Sequence, residues 1–166
     1  MQYTEWKNDF QKVQNSGNQA LKSLYLAKDK LNIMEHQKLR GFFEKMPVTK
    51  KRKHFWMNAT SVALNNARHD MESFQMVLQD AEISDDLQAD IHCFLSYADF
   101  FCYEFTEGHL KPAQIEDARL QVEDAIERVG YILSQMEHSW PISYTLEGIR
   151  FQEVYQFRPP NEEEIK

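Results

Sequence analysis

Residues 92–105 read His92-Cys-Phe-Leu-Ser-Tyr-Ala-Asp-Phe-Phe-Cys-Tyr-Glu-Phe105, and this stretch decides the fold. It contains four Phe, two Tyr, one Leu and two Cys, and its full charges are confined to Asp99 and Glu104. A helix that is apolar on nearly every side is expected to be buried on nearly every side. The stretch therefore predicts a helix at the centre of a multi-helix bundle, unless one of its faces is left for another chain.

The composition favours a single all-α domain. The chain of 166 residues has only five Gly and five Pro, whereas Leu, Gln, Glu, Lys, Ala and Met are plentiful. Its length is sufficient for one sizeable core and too short for two. We therefore predict an antiparallel bundle of about five helices over residues 1–157, which includes a C-terminal extended or short-helical arm. Residues 158–166 are predicted to form a flexible polar tail.

Glycine and proline divide the chain into the predicted helices. Asn15-Ser-Gly17 is expected to end a short first helix. The second helix, over residues 18–46, changes its apolar face near residues 35–38, which predicts a break or a new packing partner there. The third helix begins after Pro47 and is expected to bury Phe55 on its apolar face.

The last long helix has the most regular apolar pattern in the chain. Its apolar residues alternate by three and four positions, and they are Ile115, Ala118, Val122, Ala125, Val129, Ile132 and Met136. Such spacing is typical of the seam between antiparallel helices. From Ile149 to Phe157 the apolar residues follow neither a helical nor a strand period, and we expect this arm to pack across the bundle.

Charge and cysteine content limit the classes of function. The net charge of −7 and the isoelectric point near 5.4 argue against nucleic-acid binding, because a backbone binder needs a basic face. Cys93 and Cys102 lie too far apart on one helix to form a disulfide, so both are expected to be free thiols in the core. Free thiols, no export signal and no long apolar run predict a cytoplasmic protein without a membrane partner.

No residue pattern in the sequence specifies a reaction. The di-metal sites of helical bundles need Glu-x-x-His, which the sequence lacks. His69 and Glu72 have the reverse order of this motif, and we expect them to form a solvated pair on the helix surface. Neither Gly-x-Ser-x-Gly nor a glycine-rich phosphate loop occurs. We therefore expect no catalytic residue, no metal and no cofactor.

Two groups of charged or polar residues need an explanation. Asp70 lies on the apolar stripe of its helix, and together with Lys28, Asn32 and Glu35 it is expected to form a buried polar layer that fixes packing register. The functional alternative is a pocket of a metal-binding or small-ligand-binding enzyme. Lys50, Lys51, Arg52 and Lys53 form the one concentrated basic patch, expected to be solvated or paired within the molecule, with a nucleic-acid or phosphate contact as the alternative.

The aromatic helix carries the functional hypothesis. Tyr97, Phe100 and Tyr103 lie off its main apolar face, and the cores of protein interfaces are enriched in such aromatics. We predict a non-enzymatic adaptor or regulator that acts by protein–protein interaction, either with another protein or with itself as a homodimer.

Overall fold

The computed structural model describes the backbone of residues 2–43, 50–81, 83, 85–106 and 112–139, and the side chains of most of these. In this part of the chain all regular elements are helices, which confirms the all-α prediction. The predicted arm and the tail at 158–166 lie outside the described residues, and a fifth helix is not confirmed. The described residues form four α-helices: α1 (Gln2–Phe43), α2 (Lys50–Asp80), α3 (Gln88–Glu104) and α4 (Ile115–Ser139).

The four helices form an up-down-up-down bundle. α1 packs against α2 and α4, and α3 packs against the same two helices, so α1 and α3 lie on opposite sides of the core. Between α1 and α4, Gln14 contacts Glu137 and Lys28 contacts Glu123, so residue numbers rise on one helix as they fall on the other. The other three pairs of neighbours show the same relation and are also antiparallel.

The core consists of residues spaced three and four apart on each helix. On α4 the predicted seam is confirmed, because every residue of the pattern from Ile115 to Met136 is buried. The other helices contribute mainly Val13, Ala20, Leu24, Ala27 and Leu31 from α1, Ala63, Leu64, Ala67, Met71, Phe74 and Leu78 from α2, and Ile91, Phe94, Ala98 and Phe101 from α3.

Gly17 does not end a helix, contrary to the prediction. α1 continues through it and through residues 35–38 as one helix. Gly17 is buried, and a β-carbon at this position would lie only 2.6 Å from Cδ2 of Leu133 on α4. The glycine therefore allows α1 and α4 to approach closely, and this tertiary packing overrides its low helix propensity.

The aromatic helix is not central, and this prediction was wrong. α3 is one of four helices around the core and has one buried face, to which Phe94, Ala98 and Phe101 belong. Cys93 and Phe100, on the opposite side, are exposed. In a four-helix bundle each helix has only two neighbours, so a helix that is apolar all round keeps one apolar side in water.

The beginning of α2 is less buried than its apolar stripe suggested. Phe55 is 65% exposed, although Trp56 beside it packs partly against the core. The reason is the short length of α3, because its last turn already reaches the level of Arg68, where the Cys102 thiol meets the Arg68 carbonyl. The part of α2 that precedes Arg68 extends for about five turns beyond that level.

Candidate docking surface on the third helix

Two large aromatic side chains lie exposed on the outer face of α3. Phe100 is 51% exposed and Tyr103 is 78% exposed, whereas the adjacent Phe101 is 1% exposed. Residues three apart on a helix share a face, so Phe100 and Tyr103 form a pair that points away from the core. We call this pair, with Ser96 one turn before it, the outer face of α3.

Tyr97, the third interface candidate, is held by α4 instead. Its hydroxyl donates a hydrogen bond to the Gln121 carbonyl oxygen at 3.0 Å. The Arg128 guanidinium lies over its ring, 4.2 Å from the centroid, and Arg128 is itself paired with Asp124. Burial and the nearby Asp124 carboxylate raise the pKa of Tyr97 well above its usual value, so the phenol stays protonated. Tyr97 thus fixes α3 to α4 and leaves the outer face to Phe100 and Tyr103.

Contacts between α3 and α2 hold the outer face in place. Phe94 packs edge-on against Phe74 of α2, with ring centroids 5.4 Å apart. The Gln75 side-chain amide donates hydrogen bonds to the Asp99 carboxylate and to the Leu95 carbonyl oxygen. α3 is therefore tied to both neighbouring helices, and its exposed aromatics sit on a fixed support.

The two cysteines have different environments. Cys102 is buried and its thiol donates to the Arg68 carbonyl oxygen, while Cys93 is exposed, contrary to the expectation that both lie in the core. Burial, with a contribution from the Glu72 carboxylate, raises the pKa of the Cys102 thiol to about 11. A thiol that stays protonated at neutral pH is a poor nucleophile.

The predicted polar layer is divided between two helix interfaces. The partly buried Asp70 faces α1, where it accepts hydrogen bonds from the Ser23 hydroxyl and from the Gln19 amide, the latter at 3.3 Å. Asn32 is exposed. Lys28 and Glu35 lie on the other flank of α1 and face α4, so they cannot meet Asp70.

Lys28 and Glu35 belong to an ion-pair network with α4 that the sequence analysis missed. Glu123 lies 3.7 Å from Lys28 and 3.3 Å from Arg119, and Arg119 lies 3.1 Å from Glu35. The signal was present in the sequence, because Arg119 and Glu123 directly flank the apolar seam of α4. All four side chains are about a quarter to a third exposed, so the network orients the two helices more than it stabilises them.

The remaining polar groups offer no metal site in the described ranges. His69 and Glu72 lie 3.8 Å apart on the surface of α2, and Glu72 is also paired with Arg68 at 2.7 Å. Among the side chains that the structure describes, no group of three or more His, Cys, Asp or Glu residues is arranged to hold a metal ion.

The basic patch Lys50–Lys53 forms the first turn of α2, and its side chains lie outside the described residues. This first turn contains no acidic residue. The cations therefore stand at the positive end of the helix dipole without a carboxylate in the same turn. Close by, Phe55 packs edge-on against Trp56, with ring centroids 5.6 Å apart.

Comparisons of this chain with protein-family models, with curated proteins and with solved structures found no match. Within the described ranges, no helix combines the length and the apolar composition that a membrane span requires.

Proposed function

We propose that this chain is a non-enzymatic interaction protein that self-associates through the outer face of α3. One observation carries the proposal: Phe100 and Tyr103 are 51% and 78% exposed on a helix whose opposite face is packed into the core. Aromatic side chains are enriched where protein interfaces are fully buried, and Tyr is one of the residue types enriched at interface hot spots.

The support beneath these aromatics strengthens the proposal. Single exposed apolar residues are common on protein surfaces and need no explanation. Phe100 and Tyr103 are instead neighbours on one face, and Tyr97 and Gln75 anchor their helix on both sides. A partner that binds such a fixed pair gains apolar burial without having to order a loop.

The proposal predicts that Phe100→Ala with Tyr103→Ala removes self-association and leaves the protein folded. Both side chains are largely exposed, so their loss creates no cavity in the core. If each aromatic contributes about 1 kcal/mol to the contact, the double variant associates about 30-fold more weakly. Sedimentation velocity over a range of protein concentrations measures this change, and far-UV circular dichroism checks the fold.

Leu120→Ala with Tyr131→Ala is the matched control. These side chains are 52% and 51% exposed on α4, close to the exposure of Phe100. The control is expected to associate as the wild type does. A wild type that stays monomeric at every concentration, or a Phe100/Tyr103 variant that associates normally, would contradict the proposed function.

A further inference from the structure

We propose that the outer face of α3 binds the basic first turn of α2 from a second copy of the chain, in a head-to-tail contact. The inference rests on the proposed function, since it names the surface that the outer face of α3 contacts. Two further observations carry it: the separation of charge between the two halves of the bundle, and the exposed aromatic at the beginning of α2.

The two helical hairpins of the bundle carry opposite net charge. α1 and α2 together contain twelve Lys or Arg residues and seven Asp or Glu residues. α3 and α4 together contain two Lys or Arg residues and nine Asp or Glu residues. The net charges are thus +5 and −7, and one side of the molecule is electrostatically complementary to the other.

The charge on α3 opposes a two-fold contact between two outer faces. Residues 69–110 contain ten Asp or Glu and no Lys or Arg. Asp99 and Glu104, which are both exposed, flank Phe100 and Tyr103 in the sequence. A two-fold α3–α3 interface would bring these carboxylates together without a Lys or Arg on either helix, and like charges disfavour such a contact. The acidic surroundings of the outer face therefore favour a cationic partner.

The first turn of α2 has the matching chemistry. Lys50–Lys53 place four basic residues in the first turn of a helix that has no acidic residue there, and carboxylates favour that end of the helix dipole. Phe55, one turn further on, is 65% exposed and provides an apolar counterpart to Phe100 and Tyr103. Both surfaces thus combine aromatic side chains with charges of opposite sign.

The contact must join two molecules. In one chain, the end of α3 lies at the level of Arg68, and the first turn of α2 lies about 25 Å further along the bundle axis. The outer face of α3 cannot reach the Lys50–Lys53 turn of its own chain. A contact between two different surfaces of identical molecules is heterologous, so it builds rings or open chains instead of a closed two-fold dimer.

Charge reversal at each surface tests the inference in the full-length chain. The first variant carries Lys50→Glu, Lys51→Glu, Arg52→Glu and Lys53→Glu, and acidic residues in a first helical turn favour the helix. The second variant carries Ser96→Lys and Glu104→Lys on exposed positions of α3, where a lysine in the last turn is also favourable. Each variant alone is expected to self-associate at least tenfold more weakly than the wild type.

An equimolar mixture of the two variants is expected to associate again, because it contains one unchanged outer face and one unchanged basic turn. Wild-type association is also expected to weaken as NaCl is raised from about 0.05 to 0.5 M. Sedimentation velocity measures both effects. If the Lys50–Lys53 variant associates normally, or the mixture does not associate, the head-to-tail contact is wrong. The proposed function stands in either case as long as the Phe100/Tyr103 variant is monomeric and the wild type is not.

Discussion

At Gly17, the absence of a side chain decides how closely two helices approach. We predict that Gly17→Ala lowers the free energy of unfolding by about 1 kcal/mol, because overpacking against Leu133 outweighs the gain in helix propensity. Gly130→Ala is the matched control. A β-carbon there meets nothing within 4 Å, so this variant is expected to gain about 0.5–1 kcal/mol. Urea unfolding compares the two, and equal stabilisation by both would show that the Leu133 side chain moves aside at little cost and that Gly17 is not needed for the approach of α1 and α4.

The two cysteines provide a second prediction at the residue scale. At pH 8 a thiol reagent is expected to label one thiol per folded chain, which is the exposed Cys93, and both thiols in denaturant. The Cys93→Ala variant is the control and is expected to show no labelling in the folded state. Rapid labelling of Cys102 in that variant would contradict its burial.

The raised pKa of Cys102 also predicts that the free energy of unfolding decreases at alkaline pH. Because the folded state holds the pKa of this thiol at about 11, the unfolded chain loses the proton first as pH rises. The stability that the protonated Cys102 thiol contributes is fully present at pH values below the ordinary pKa of a thiol. It is lost as the pH rises from that value towards 11. The residue type allowed a core position for either cysteine, and only the helix's orientation separated the buried Cys102 from the exposed Cys93.

At the scale of the element, α3 contains two neighbouring phenylalanines with opposite roles. We predict that Phe101→Ala lowers the free energy of unfolding by about 3–5 kcal/mol, because Phe101 is 1% exposed and packs against Phe105 with ring centroids 4.8 Å apart. Phe100→Ala is expected to change it by less than about 0.5 kcal/mol. Chemical denaturation at a concentration where the wild type is monomeric separates the two. Equal losses would mean that α3 is buried on both sides.

The sequence predicted which segments are helical better than it predicted where each helix begins and ends. The seam of α4 was predicted residue by residue, because an apolar repeat of three and four positions has only one helical face that can bury it. The break at Gly17 was wrong, because a glycine signals equally a helix end and a close approach between helices. Only the position of Leu133 across the interface distinguishes the two.

At the scale of the whole molecule, the order of the helices turns a charge pattern in the sequence into a charge pattern on the surface. The basic and acidic stretches become two opposite hairpins because the chain folds up and down in sequence order. The same order places α3 beside α2 and α4 and opposite α1, so none of the described helices covers the remaining side of α3. The aromatic pair and the surrounding acidic charge are thereby presented together.

The sequence by itself determined the all-α class, the seam of α4 and the presence of surplus aromatics near residue 100, because each depends on local composition and helical periodicity. Tertiary structure alone decided which aromatics were surplus, that Asp70 faces α1 while Lys28 and Glu35 face α4, and that α1 runs through Gly17. Each of these depends on which helix lies next to which, and a periodic pattern specifies a buried face without naming the helix that covers it.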